Sequence, residues 1–369
     1  MINADIKVSV IMPIYNAYDY LVPAMDSVLD QTLREIELIC VDDGSTDSSY
    51  EIIKEYQKQD PRVRIITETN AGPALARNNG LKRARGEYIA FLDADDFFEP
   101  TLLEELYKLA KEKDLDIAIT DYDLYINRKA TFEVPIPAEH EEIYANGRLT
   151  SKNKDPDTIF LSTNGAVWNK LFRRSFITEK QLQFLSDVKI YEDVYFVATA
   201  LSFAGRIGKV EKTLMHNRVY TEQSRTRLLK KYFSHVLVAY IKIKEFLVHN
   251  GMYAPLSDSF LNLTAGDCYK IFNLLRFDCR DDFWNLLNSE YAEKFGWKNK
   301  TSEDYDEESV CEFASNVQLY NYNQYKKRLA RGHKLNLDRL RGAFNSANVK
   351  KKVKGFFSKF AFWKKKTKK

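Results

Sequence analysis

The chain has 369 residues, more than one hydrophobic core usually holds; it is 44% hydrophobic and 29% charged, with only 14 Gly and 9 Pro. That balance excludes a small stapled scaffold, a disordered polymer and a fibrous repeat, and it predicts a soluble globule of two domains or of one domain with large additions. No run approaches 18 uninterrupted apolar residues, and Met1–Tyr15 lacks the basic and apolar regions of a secretory leader, so neither export nor a membrane span is expected.

Short β-rich runs at Val8–Tyr15, Glu37–Asp42, Val63–Thr67, Tyr88–Asp93 and Asp116–Tyr122 alternate with helical patterns about a dozen residues long. The alternation predicts an α/β fold whose mostly parallel sheet is flanked by helices on both faces. Ser48 with Glu51 reads as a capping box, and Pro73 and Pro100 fit first helical turns. From Asn127 to Asp157 polar residues and Pro135, Pro137 and Pro156 predict a long loop, with order resuming near Ile159. Beyond Thr226 the chain reads as helices at Leu228–Asn250, Ser257–Phe277, Arg280–Asn288 and roughly Tyr320–Arg331, whose Tyr and Phe recur at helical spacing as core residues do. No internal repeat is found.

The four cysteines, Cys40, Cys268, Cys279 and Cys311, are scattered without CxxC spacing, which argues against a zinc cage or disulfide framework and for a reducing, cytoplasmic setting. The net charge of +4 hides an asymmetry. Residues 324–369 hold 17 Lys or Arg against the single acid Asp338, which leaves residues 1–323 at −12. An acidic body with a basic tail implies that the tail meets an anionic surface.

Open parallel sheets bind ligands at the carboxyl ends of their strands. Here the first strand leads to Pro13-Ile14-Tyr15-Asn16, the second to Asp42-Asp43-Gly44-Ser45-Thr46-Asp47 and the fourth to Asp93-Ala94-Asp95-Asp96. Several carboxylates at one edge repel one another unless a cation joins them. Asp93 and Asp95 are therefore candidate ligands of Mg²⁺ or Mn²⁺, whose remaining positions would take water and diphosphate oxygens. Acids in such loops also serve as turn and helix-cap formers. In Asn70–Gly80, Gly72 opens a helix and Arg77 lies one turn in, where its guanidinium could offer a donor fork to a base or phosphate; a lone helical Arg is more often solvated or salt-bridged.

Taken together, Pro13-x-Tyr15-Asn16, Ser27-Val28-Leu29-x-Gln31-Thr32, Val41-Asp42-Asp43-Gly44-Ser45-x-Asp47, Asn70-x-Gly72-x-x-x-Ala76-Arg77-Asn78-x-Gly80 and Phe91-Leu92-Asp93-Ala94-Asp95-Asp96 stand in one register. Over residues 7–98 this resembles the nucleotide-sugar-binding half of the family 2 glycosyltransferases, inverting enzymes of GT-A fold, a Rossmann-like architecture. The resemblance implies that Pro13, Tyr15, Asp42 or Asp43, and Arg77 contact the nucleotide. It sets Asp93 near the ribose and metal, and makes Asp95 the main metal ligand. It also implies an acidic catalytic base in an E-D pair opening a later helix, a role that falls to Asp193 in Tyr191-Glu192-Asp193-Val194. Without the resemblance, two acids there are ordinary partners of a helix dipole.

Val167–Arg174 resembles a segment of the capsular and exopolysaccharide branch and would shape the acceptor side. Met215–Tyr220, followed by Ser224-Arg225, resembles that branch's post-catalytic loop, in which an Arg or a Ser folds over the donor diphosphate. His216 stands where the branch often has Tyr, and a surface or packed histidine is the plainer reading. The expected organisation is a GT-A catalytic domain over 1–225, a helical C-terminal extension over 226–344 and a basic amphipathic tail over 345–369.

In that tail Val349, Val353, Phe356, Phe357, Phe360 and Trp363 recur at three and four among ten lysines, the pattern of a helix lying on an anionic membrane. A solvated, disordered tail is the alternative. Nucleic acid is disfavoured, because no binding module accompanies the charge.

The expected activity is metal-assisted, inverting transfer of a sugar from a nucleotide-diphosphate sugar, UDP favoured, to a hydroxyl of a glycan or lipid-linked saccharide in cell-surface polysaccharide synthesis. The enzyme would sit peripherally on the inner face of the cytoplasmic membrane. A non-catalytic nucleotide-sugar-binding or scaffolding subunit is the alternative. A dinucleotide oxidoreductase and a nucleotidyltransferase are disfavoured, since no glycine-rich turn follows the first strand.

Overall fold

Val8–Ile14 (β1) and Ile36–Asp42 (β2) are almost continuously buried, as strands covered on both faces of a parallel sheet must be. The computed structural model describes residues 5–126, 129–133, 135, 140–219 and 225–331. Between and after these two strands come α1 (Tyr18–Leu29), α2 (Ser49–Gln59), β3 (Val63–Thr67), α3 (Pro73–Arg83) and β4 (Tyr88–Phe91). The chain continues through β5 (Phe97–Phe98), α4 (Leu102–Glu112), β6 (Ile117–Ile126), β7 (Thr131–Glu133), β8 (Lys170–Arg173), α5 (Arg174–Glu179), α6 (Glu192–Phe203) and β9 (Ile207–Val219).

Along the sheet the order is β3-β2-β1-β4-β8-β6-β9-β5, with β7 paired to β6. The first four strands run parallel, while β8 is antiparallel to both β4 and β6. Because β2 and β4 flank β1 on opposite sides, the chain reverses its winding there, and the crevice past the ends of these strands is where such sheets bind ligands. Gly80 lets α3 lie close on β1: a Cβ on it would come within 2.5 Å of the Ile11 side chain.

The described chain continues in helices: α7 (Arg225–His249), α8 (Ser257–Leu274), α9 (Phe277–Leu286), α10 (Ala292–Phe295), α11 (Glu308–Leu319) and α12 (322–331). Their aromatic residues pack as core: the Trp284 and Tyr325 rings stack at 4.3 Å, and Phe272 and Phe313 close around them. One buried cluster runs from Ile11 and Ile39 on the sheet through Phe196 to Trp284 and Val317, so these helices cover one face of the sheet.

Several expectations are corrected. Ser48 precedes α2 but makes no side-chain cap; the Asp47 carboxylate takes the Ser49 amide at 3.0 Å in its place. The strand expected to end at Tyr122 runs to Ile126, and within the stretch expected as a loop, Asn127–Asp157, Thr131–Glu133 pairs with it as β7 and Glu141–Gly147 forms 3-10 turns. Met215–Val219, expected as a loop, is the end of the thirteen-residue β9. The helix α11 escapes the sequence reading. Tyr220, Ser224 and the whole 345–369 tail lie outside the described residues. All four cysteines are free. Among the described residues no helix is long and apolar enough to cross a membrane.

Candidate active site

The loops after β1 and β2 are stitched together. Asn16, in the left-handed region at φ 49°, accepts the amides of Thr46 at 2.8 Å and Asp47 at 3.3 Å, while its own amide donates to Ser45 Oγ at 3.2 Å. Ala17 N donates to Ser49 Oγ and Tyr18 N to Asp47 Oδ2. Ser45 and Asp47 thus shape the loop, which leaves half-buried Pro13 and the Tyr15 ring, 43% exposed, at its lip.

Asp42 and Asp43 are both buried. Asp42 Oδ1 accepts the Ser45 amide at 3.3 Å. Asp43 grips the loop before α3, with Oδ1 taking the Ala71 amide at 2.7 Å and Oδ2 the Gly72 amide at 2.8 Å. Gly72 is needed there because its φ is +97°, a conformation that a side chain strains.

Arg77 is buried, and its fork spans two carboxylates: Nη2 meets Asp93 Oδ1 at 2.6 Å and Nη1 meets Glu192 Oε1 at 2.8 Å. Burial works against the guanidinium charge, but Asp93, Glu192 and Asp193 together hold its pKa above the ordinary value. The face of the guanidinium lies 5.3 Å from the Phe184 ring centre, and neighbouring Asn78 clamps the Phe184 backbone through two hydrogen bonds of 2.8 and 2.9 Å. The Ala76-Arg77-Asn78 run therefore aims one side chain at the acids and anchors the loop behind it.

Beyond β4, Asp96 is buried and Asp95 half-buried. Asp96 accepts the Arg218 amide at 2.7 Å and the Asn217 side-chain amide at 3.1 Å on each oxygen. Arg218 Nε donates to the Asp95 carbonyl at 2.7 Å, and its guanidinium lies over the rings of Tyr20, Phe97 and Tyr125 at 5.3, 5.3 and 5.0 Å. Burial, then the charges of Asp95 and Asp93, push the Asp96 carboxyl well above the usual range. Hard oxygen donors under mutual repulsion are the chemistry that fits a divalent cation, although among the described residues no three ligating side chains gather as a complete cage.

His216 is packed. Its ring nitrogens face Glu99 at 2.8 Å and Asp123 at 2.7 Å, and the ring lies against Phe97 and Phe132. The sequence reading missed Asn217 as a partner of Asp96, since nothing in the spacing links two residues 121 positions apart.

Tyr191, left-handed at φ 70°, turns the chain into α6, whose first two residues are Glu192 and Asp193. Both are buried, and Asp193 Oδ1 accepts the Val194 amide at 2.9 Å. Behind them Lys170 is buried too. Its ammonium donates to Asn164 O and Oδ1 at 2.9 and 2.8 Å, Ala166 O at 2.7 Å and Asn169 Oδ1 at 2.9 Å. Burial pushes this lysine's pKa well down, and the charge of Asp193 opposes the shift. Lys170 was also missed as an individual residue; its signal is a lysine set directly before the apolar pair Leu171-Phe172 of a short buried strand.

Arg77, Asp93, Glu192 and Asp193 thus form one charged cluster, while Tyr15, Asp42 and Asp43 belong to the neighbouring stitched loops, joined to it through Gly72 and α3.

A model described as glycosyl transferase family 2 matches residues 9–177. EpsH of Bacillus subtilis (strain 168), named as a glycosyltransferase, is 33% identical over 267 residues, which span 71% of this chain and 76% of EpsH. The poly(ribitol-phosphate) beta-glucosyltransferase of Bacillus spizizenii is 30% identical over 268 residues, 71% of this chain and 37% of that longer protein. In fold, the chain resembles S. aureus TarS 1-349 in complex with UDP-GlcNAc, with a TM-score of 0.65 at 20% identity over 88% of this chain and 92% of that one. Identity at this level across most of EpsH, on a sheet whose acids gather at one edge, makes the chain a member of glycosyltransferase family 2.

Proposed function

We propose that the protein transfers a sugar, with inversion at the anomeric carbon, from a nucleoside-diphosphate sugar to a hydroxyl of a glycan or lipid-linked saccharide in cell-surface polysaccharide synthesis. UDP is the favoured nucleotide, in keeping with the UDP-GlcNAc complex of the TarS neighbour. Residues 1–225 would carry the catalysis, 226–344 the helical extension and 345–369 a basic tail that docks on an anionic membrane. The observation that carries the reading is the Arg77 fork, which ties Asp93 on the donor side to Glu192, the neighbour of Asp193.

In this reading Pro13 and Tyr15 frame the nucleotide base, and Asp42 or Asp43 meets its edge. Asp93 and Asp95 would hold Mg²⁺ or Mn²⁺, whose positive charge would offset the negative charge of the departing diphosphate. Arg77 aligns the donor carboxylates with the α6 N-terminus. Asp193 accepts the proton of the acceptor hydroxyl, whose oxygen bonds to the anomeric carbon as the bond to the diphosphate breaks; the proton then passes to solvent. A single displacement from the opposite face inverts the centre. Base assistance of this kind contributes on the order of 10²–10⁴ in rate. Asp193 is buried in this structure, so the acceptor hydroxyl reaches it only after a local rearrangement.

The test is release of nucleoside diphosphate from a panel of nucleotide sugars with Mn²⁺ or Mg²⁺, repeated with Asp193→Asn. No metal-dependent release from any donor, or release undiminished in Asp193→Asn, refutes the assignment. For the tail, truncation at residue 344 should shift the protein from vesicles containing anionic lipid to the supernatant; an unchanged distribution refutes the docking.

A further inference from the structure

A cavity of about 530 Å³ is lined by none of the residues assigned above to the donor side. Its floor is β6 and β9 where their pairing slips, so that Asp121 stands opposite Thr213 beside a bulge. One wall is the 160–165 loop, pinned at Asn164 by the Lys170 ammonium, and the other is α6 through Val194, Val197, Ala198 and Leu201. From α8, Leu263, Asp267 and Lys270 close it.

The α6 wall fixes the cavity's relation to the chemistry. At about 100° per residue, the face made by those four residues points away from Glu192, which meets Arg77, and Asp193 lies about a quarter turn from each. The carboxylate that would take the proton therefore sits on the flank between the donor cluster and this cavity.

The lining also selects a chemical class. Two acids, Asp121 and Asp267, are matched by two lysines, Lys209 and Lys270, and the Asp121–Lys209 pair is 2.7 Å apart. Tyr122 and Phe160 offer aromatic surface, and Thr163 and Asn169 add polar groups. The volume lies within the range of about 300–1,000 Å³ usual for small-molecule sites. A lining of zero net charge, with apolar surface and many hydrogen-bonding groups, suits sugar rings. It gives no attraction to a chain bearing one phosphate per repeat.

We propose that this cavity is the acceptor site and that it takes a neutral, hydroxyl-rich saccharide instead of a polyanionic polyol-phosphate chain; the assignment rests on the glycosyltransferase reading above. Saturation-transfer NMR on the full chain, with cellobiose, lactose, maltose and N,N′-diacetylchitobiose as neutral probes and a ribitol-phosphate oligomer as the anionic one, tests it. At least one disaccharide should bind, at least tenfold more weakly in Leu263→Trp, which fills the cavity from α8, and in Lys209→Met, which alters the β9 floor and serves should the tryptophan variant fail to fold. The ribitol-phosphate oligomer should show no transfer. Binding of no disaccharide, equal binding by the folded variants, or binding of the oligomer overturns the proposal. Thermal stabilisation by UDP with Mn²⁺ in the same samples separates the two levels: stabilisation without saccharide binding sinks the cavity alone, whereas no stabilisation of the wild type sinks the parent reading with it.

Discussion

Arg77 donates to Glu192 at 2.8 Å across 115 positions of sequence, and with its other nitrogen reaches Asp93. A lysine cannot replace this, because its ammonium is a single point whereas the guanidinium fork serves both acids at once. In Arg77→Met the acids lose their buried counter-charge, which should cost about 3–5 kcal/mol of stability. Arg77→Lys should fold with a smaller loss, yet turn over at least tenfold more slowly because Asp93 and the α6 N-terminus lose their common anchor. Urea denaturation and nucleoside-diphosphate release measure the two effects; a Lys variant with unchanged turnover would show that the bridge plays no part in catalysis.

Asp193→Asn keeps the volume and the acceptor for the Val194 amide while removing the carboxylate proposed as the base. Turnover should drop on the order of 10²–10⁴. UDP affinity, read by calorimetry, should change less than threefold. Equal losses in affinity and turnover would instead assign Asp193 to donor binding.

The parallel half of the fold was legible because its central strands, covered on both faces, are almost continuously apolar, as Val8–Ile14 and Ile36–Asp42 are; Val63–Thr67, at the edge of the sheet and only part-buried, still falls within the bounds expected from its β-rich run. The antiparallel β8 was not, since four residues, two of them the charged Lys170 and Arg173, carry no periodicity that separates strand from loop. The charged edge was legible as clustered acids, but how they are divided was not. Asp43 spends both oxygens on the Ala71 and Gly72 amides, and Asp96 is held by Asn217 and Arg218 from a distant strand. Such pairings depend on packing, to which local spacing is blind.

Asp95→Asn should separate nucleotide binding from cation binding. A ligand that binds only the folded form raises its stability by mass action, so UDP at 100 times its Kd adds about 2.7 kcal/mol. With Mn²⁺ present, the wild type should show a larger UDP-induced rise in Tm than with chelator, and Asp95→Asn should show the same smaller rise in both. A metal-dependent rise that persists in Asp95→Asn would remove Asp95 from the ligand set.

Glu37 gives the sheet an acid-sensitive tie. It lies buried in β2 and accepts Ser9 Oγ at 2.6 Å, Arg64 at 2.7 Å, and the amide and guanidinium of Arg85 at 2.8 and 2.9 Å. Burial alone would raise its pKa, but these donors, Ser9 first, hold it below the ordinary 4.5. Since the folded value is the lower one, the contribution is complete above about pH 4.5 and is lost as pH falls through the folded value. Arg64 and Arg85 remain partly hydrated, so Glu37→Gln should cost only about 1–3 kcal/mol near neutrality, the scale of hydrogen bonds to a charged group. The gap between wild type and variant in urea midpoint should narrow as pH is lowered below 4.5. A gap that stays constant from pH 7 to pH 4 would mean that the ionised carboxylate is not what the donors hold.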